Sequence, residues 1–410
     1  MKGTMTTTTS RRPGLISDSA VIAAGMVVMN VALYAFTVIA ARLLGPAEYG
    51  ALAAVMGVIM VVNVVSLGLQ ATAARRVAAQ PHARDAIERD VMRATTWCAA
   101  GQGLVMLAIS PLVSAVLGLD SWLLAGLVAA TAVPLTFMGG QAGILQGERR
   151  WIPLAAVYLG AGLGRLAFGV AGLLVAKTSI LAMCGLLVGA FLPVVVASSV
   201  MRRHRGRSPD HPRQHVLRET FHNSHALLAF FALSNVDVVA ARVVLPEHDA
   251  GLYAGGLILA KAVLFLPQFV VVIVFPSMSQ NPAARRVNAF ALALVLAAGL
   301  AVVAGVAVLP DLALVFVGGP QYAEIAPLLW VFAGLGTVLA MLQLLVYNVL
   351  ARQQQKLVLL VWATLAGVAL LAITAESVLA LALIVLAADS LLLLALLAAA
   401  MRRGQAVPAR

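Results

Sequence analysis

Charge is what this chain of 410 residues has least of: only 11% of its residues are Asp, Glu, Lys or Arg. A water-soluble protein of this size carries about 25%. With 62% apolar residues and a mean hydropathy of +0.99, the chain has too few polar groups to cover a water-facing globule. Lipid is therefore the expected solvent. Cysteine is nearly absent, and both residues, Cys98 and Cys184, fall inside apolar runs. That excludes a disulfide framework and a cysteine-based zinc site, leaving two small core hydrophobes. Aromatic residues make up 6% of the chain and basic residues outnumber acidic ones, 28 to 16. Both facts weigh against an acid-rich, aromatic-lined chamber for organic cations.

Enzyme motifs are missing as well. Val175-Ala176-Lys177-Thr178 has the ending of a phosphate loop, but Ala171 and Ala176 stand where the glycines are needed. No segment is long enough for a nucleotide-binding domain, so a primary pump would need a partner chain. Membrane glycosyltransferases and ligases need acids on a sizeable external loop, and the longest one here, 309–322, holds only scattered acids. His204, His211, His215, His222 and His225 cluster at spacings that could seat a metal on a helix, but Pro209 and Pro212 interrupt it. They read as a solvated linker. No catalytic residue, cofactor or metal is expected.

What the sequence has is a series of apolar segments: 19–41, 49–73, 94–117, 122–146, 151–175, 179–200, 221–244, 250–279, 287–309, 323–350, 357–374 and 378–400. At 1.5 Å per residue most can cross a hydrocarbon layer of ~30 Å. The first is too long for a signal peptide and follows a polar, Thr-rich start, so it reads as a permanent span. With the N-terminus placed in the cytoplasm, 23 of the 28 Lys and Arg residues fall in cytoplasmic segments. This is the positive-inside pattern, with both termini cytoplasmic. The net charge of +12 is then a topology signal and a contact for anionic lipid, not a nucleic-acid footprint.

The two halves repeat. Ala40-Ala41-Arg42-Leu43-Leu44-Gly45-Pro46 aligns with Ala240-Ala241-Arg242-Val243-Val244-Leu245-Pro246. After one inserted residue, Gly50-Ala51-Leu52 continues as Gly251-Leu252-Tyr253. Six spans per half is an even number, so the repeats run parallel about an axis along the membrane normal. The expected fold is all-α integral membrane, about twelve helices in two six-helix lobes, 1–210 and 211–410, forming a V-shaped transporter.

Ionisable residues inside spans cost ~2.5–3.5 kcal/mol each on insertion scales and call for a reason. Asp237 lies roughly 11 Å and Lys261 roughly 15–16 Å below the same short loop, so the two could meet. They form either a structural ion pair or a cavity site that opens for substrate or a coupling cation. Arg42 and Arg242 either snorkel to headgroups or contact substrate. Arg165, at mid-span, should face an interlobe cavity as an anion contact or as partner to an acid. Asp389 is that acid or a lone carboxyl. Asn30, Asn63, Gln70, Gln141, Asn235, Gln268, Gln343 and Asn348 suit interhelical hydrogen bonds, and Gly160/Gly164 with Gly185/Gly189 suit close helix packing. Pro134, Pro267 and Pro276 are candidate kinks.

The segment Ala41–Ala74 (ARLLGPAEYGALAAVMGVIMVVNVVSLGLQATAA) resembles the start of the polysaccharide and O-antigen flippases. These belong to the multidrug/oligosaccharidyl-lipid/polysaccharide exporter superfamily. Asn235-Val236-Asp237, Ala250-Gly251-Leu252-Tyr253-Ala254, Phe275-Pro276 and Gln146-Gly147-Glu148-Arg149-Arg150 agree with it. The resemblance implies two bundles around a cavity that alternates between membrane faces and passes a lipid-linked oligosaccharide or polysaccharide precursor outward. It makes Arg42, Arg165, Arg242 and Lys261 candidate substrate contacts, and Asp237 and Asp389 candidate ion-coupling or charge-pair residues. A polyprenyl-linked glycan is the implied substrate, with glycosyltransferases or a polymerase as partners. A cation-coupled multidrug or metabolite antiporter, and a non-transporting scaffold for glycan assembly, are the alternatives.

Overall fold

The computed structural model describes residues 14–119, 121–201, 216–264, 284–351 and 355–405. Those residues are almost wholly helical, as an apolar solvent requires. Hydrocarbon offers the backbone no hydrogen bonds, and a helix satisfies its own. In chain order the helices are α1 (Gly14–Leu44), α2 (Pro46–Val62), α3 (Val64–Ala79), α4 (Arg84–Val116), α5 (Trp122–Gly147), α6 (Trp151–Val175), α7 (Ser179–Met201), α8 (Val216–Val244), α9 (Glu247–Val263), α10 (Ala284–Val308), α11 (Pro310–Val317), α12 (Leu329–Ala351), α13 (Gln355–Ala372) and α14 (Val378–Gln405). Among the described residues, ten stretches are long and apolar enough to span a bilayer, and α13 is a shorter apolar helix. The distal part of the eighth expected span, with Pro267, Gln268 and Pro276, lies outside the described residues. So do most of the central linker and the boundary expected at 210/211.

The second expected span lies within one apolar stretch, Pro46–Ala79, whose helix is interrupted locally at Asn63, between α2 and α3. At that point Gln102 Nε2 on α4 donates to the Val62 carbonyl at 2.6 Å. Thr136 on α5 in turn donates to Gln102 Oε1 at 3.1 Å. A side chain inserted into the backbone ladder is a recognised local perturbation of a helix. A second local feature ends α5. The amide of Arg150 bonds the Leu145 carbonyl and that of Arg149 bonds Gln146, with Arg149 at φ 56°. This is a Schellman ending with arginine in the place glycine usually takes.

Helices α1 and α3–α7 pack mainly on one another, as do α8–α10 and α12–α14, while α2 and α3 meet α8 and α9 across a seam. Two helical bundles result. Large apolar side chains such as Leu104, Leu112, Leu370 and Leu391 point outward and are exposed, the reverse of a water-soluble surface. Trp122 and Trp330 stand exposed at the starts of α5 and α12, at the end remote from the basic loops, where interfacial tryptophans belong.

The glycine pairs act where helices cross. A Cβ on Gly164 would lie 2.6 Å from the Gly189 carbonyl oxygen, and one on Gly189 would lie 2.4 Å from that of Gly164. The α6–α7 crossing therefore has room for hydrogen only. Gly189→Val is expected to overpack it and cost about 1–3 kcal/mol of stability. Gly101→Ala on α4, where no atom stands within 4 Å, should leave stability essentially unchanged. Thermal unfolding of both variants in detergent checks the contrast.

Candidate functional site

A cavity of about 220 Å³ lies between the two bundles. Helices α1, α2 and α6 line it from one side, and α8, α9 and α12 from the other. Two cations reach it, Arg165 from α6 and Lys261 from α9, and none of its described lining residues is Asp or Glu. Asn30, Tyr34, Thr37, Tyr49, Ser234, Asn235 and Gln343 supply further polar atoms, while Met56, Met60, Phe230 and Phe231 contribute apolar wall.

Lys261 is held by a chain of bonds running back to the backbone. Its Nζ donates to Asn235 Oδ1 at 3.3 Å. Asn235 Nδ2 donates to the Phe231 carbonyl at 2.9 Å and to Ser234 Oγ at 3.3 Å, which turns the amide oxygen toward the lysine. Arg165 has no such carboxylate or amide clamp. Its Cζ sits 5.6 Å from the centroid of the Phe36 ring, within cation–π range, and its buried Nε has no hydrogen-bond partner among the described residues. A guanidinium that lines a cavity with no carboxylate partner among the described residues is equipped to take an anionic oxygen.

Asp237 does not form the ion pair with Lys261 that depth alone allowed. Helix azimuth explains the difference. Two residues advance about 200° round a helix, so with Asn235 on the cavity face, Asp237 points into its own bundle. There it is buried, with Oδ1 accepting from the Val238 amide at 2.8 Å and Oδ2 accepting a long bond of 3.4 Å from Tyr253. Asp389, on α14, is fully buried in the same bundle, and neither carboxylate oxygen has a hydrogen-bond partner among the described residues. It forms no ion pair with Arg165. Its electrostatic neighbours are Asp237 and Tyr253, so the second bundle encloses two carboxyls and a phenol.

Arg42 and Arg242 lie outside this cavity. Each goes to the seam between bundles and donates to backbone carbonyls on the opposite side. Several participants carry no charge, so the sequence gave no sign of their place here: Tyr253 beside Asp237 and Tyr49 in the wall appear in it only within the repeat and the family resemblance, and Phe36 beneath Arg165 and Tyr34 in the wall not at all. At the basic end of the molecule, Glu148 is buried between Arg84 at 2.5 Å and Arg150 at 3.4 Å. The pairing ties the α5 ending to the start of α4.

Helical bundles that face each other across a cation-bearing cavity, built from stretches long and apolar enough to cross a bilayer, define a multi-pass membrane protein. Its fold is that of solved transporters. The lipid II flippase MurJ in an inward closed conformation superposes with a TM-score of 0.72 at 13% identity, covering 94% of this chain and 87% of that one. A multidrug resistance MATE family transporter of the MOP superfamily, inward-facing, gives 0.69 at 14% identity over 92% and 94%. A MOP superfamily transporter from Pyrococcus furiosus, described as having a binding pocket of reverse polarity, gives 0.59 at 15% identity over 94% and 95%. Comparison with curated proteins yields no sequence match. The family profile described as "polysaccharide biosynthesis protein" matches residues 39–327, and the chain belongs to that family.

Burying a carboxyl without a hydrogen-bond partner costs about 1–3 kcal/mol or more. Asp389→Leu, which removes the carboxyl and keeps most of the volume, is expected to raise the thermal unfolding temperature in detergent. A fall in that temperature would mean that the carboxyl is held by a partner.

Proposed function

We propose that this transporter moves a lipid-linked oligosaccharide or polysaccharide precursor across the bacterial cytoplasmic membrane by alternating access. The observation that carries the reading is the polarity of the cavity: Arg165 and Lys261 face it and no carboxylate does among its described lining. A glycan on a polyprenyl pyrophosphate is anionic at its linkage and polar beyond it. Cations poised over a small, partly apolar chamber suit that linkage, and Asn, Ser, Thr and Gln suit sugar hydroxyls. The volume of about 220 Å³ lies below the ~300–1,000 Å³ usual for drug-sized ligands, which favours the linkage as the bound part rather than a whole glycan. Membership of a polysaccharide biosynthesis family agrees with that choice.

Asp237 and Asp389 take a separate role. They lie behind the cavity wall, within one bundle, where a proton or metal cation could be exchanged without touching cargo. This is the residue pair that a cation-coupled antiporter would also need, and it is the one feature that favours the multidrug or metabolite reading. The cation-lined chamber is the wrong polarity for the organic cations such an antiporter would carry. In this reading the basic loops face the cytoplasm and anionic lipid headgroups, and glycosyltransferases or a polymerase act before and after the carrier.

The test is surface glycan in cells lacking the chromosomal copy. Arg165→Ala and Lys261→Ala are each expected to lower it by at least about tenfold, the scale of one lost charge-assisted contact, while membrane levels stay normal. Normal glycan in both variants would remove the site assignment. Asp389→Asn should lower transport while leaving binding of the pyrophosphate-linked substrate intact, measured by its protection of the purified protein against thermal unfolding.

A further inference from the structure

The repeat-related arginines do something the sequence comparison alone does not suggest: they reach across the seam in opposite directions. Arg242, at the end of α8, donates through Nε to the Leu117 carbonyl and through Nη2 to the Gly118 carbonyl, both at 3.0 Å. Those carbonyls close α4, in the other bundle. Arg42, at the end of α1, donates through Nη2 to the Val315 carbonyl, two residues before the end of α11. The acceptor sites are themselves repeats. Val116-Leu117-Gly118 and Phe316-Val317-Gly318 stand at the same offset of 200 that relates the two arginines. Each arginine therefore caps the C-terminal turn of the helix that is the counterpart of its partner's target.

The chemistry of the contact is well matched. The last carbonyls of a helix have no intrahelical donor, and the helix dipole makes that end negative. A guanidinium satisfies both needs. Between the two arginine contacts α2 and α9 touch almost backbone to backbone: a Cβ on Gly251 would lie 1.9 Å from the Pro46 carbonyl oxygen, and one on Gly50 would lie 2.9 Å from Gly251 Cα. Gly50 and Gly251 are the repeat mates noted above, so this close backbone approach, like the two arginine contacts, joins positions that the repeat makes equivalent. Just inside it, Tyr34 lines the cavity and donates to the Phe316 carbonyl at 3.0 Å, which joins the cavity wall to the acceptor turn of α11.

We infer that Arg42 and Arg242 form a reciprocal two-point gate, which holds the bundles together at the end remote from the basic loops and must release for the cavity to open there. The two points are unequal. Arg242 is buried, binds two carbonyls and also pairs with Glu247 at 2.8 Å, whereas Arg42 is exposed and reaches one carbonyl. Arg242 is thus the main latch and Arg42 the weaker one. A gate role also explains why neither arginine lines the chamber. This inference rests on the transporter reading, but not on the identity of the cargo.

The experiment measures bundle separation directly, without substrate. Lys177 and Glu376 are exposed in loops at the gated end of opposite bundles and take no part in the latch. Spin labels on Lys177→Cys and Glu376→Cys, in a Cys98→Ala/Cys184→Ala background, report that distance by pulsed electron resonance in nanodiscs. The parent protein should give one short-distance population. Arg242→Ala is expected to raise the ratio of long to short distances by about tenfold or more, and Arg42→Ala by less. Arg42→Lys should restore the short distance, because one carbonyl needs one donor. Arg242→Lys should not, because the two carbonyls and Glu247 need the fork. If both alanine variants keep the parent distribution while remaining monodisperse, the gate is refuted and the arginines are ordinary helix-end anchors. If the distances shift as expected but Arg165→Ala leaves surface glycan normal, the gate stands and the cargo assignment fails.

Discussion

Hydrocarbon donates and accepts no hydrogen bonds, so each polar group carried into the bilayer has to be matched inside the protein or turned toward an aqueous space. Much of this structure follows from that constraint. Backbone groups are satisfied by continuous helices. Where a helix is interrupted, as at Asn63, a side chain from a neighbour supplies the missing partner: Gln102 takes the Val62 carbonyl and is itself held by Thr136. Where a helix ends in contact with the other bundle, an arginine or Gln321 covers the exposed carbonyls, the latter reaching Ala41 at 2.7 Å. The break, the ends and the seam are three answers to one requirement.

Some groups escape such matching. Arg165 keeps an unused donor beside the cavity, and Asp389 keeps two unused acceptors within the second bundle. One stands in the wall of the chamber between the bundles, the other inside the second bundle away from that chamber. In the proposed function, that separation keeps cargo and coupling cation from competing for the same side chains. The contrast with Glu148, which is equally buried but clamped by two arginines, shows that burial alone does not leave a charge unmatched in this protein.

Much of the site was legible because charge is scarce. With so few ionisable residues within spans, Arg165 and Lys261 stood out as candidates, and both line the cavity. Depth along a helix is also readable, since rise per residue is constant. Azimuth is not, because the face a helix turns to the cavity depends on which neighbours it packs against. That is why Asp237 and Lys261, near in depth, are not an ion pair, and why nothing in the chain places Tyr253 beside Asp237 or Phe36 beneath Arg165. The two-residue step from Asn235 to Asp237 contains the answer once one of the pair is known to face the chamber.

Composition, length and offset are properties of the chain alone, and they suffice to place it in lipid, to mark its apolar segments and to reveal that its halves repeat. The sequence also marked Arg42 and Arg242 as equivalent. Only the tertiary structure decided what they touch. An arginine side chain can reach headgroup, cavity or neighbouring carbonyl from one position, and the choice depends on where the opposite bundle places its helix ends. The same holds for the helix interruption at Asn63 and the isolation of Asp389. Each is imposed by a partner far away in sequence, and no local pattern encodes it.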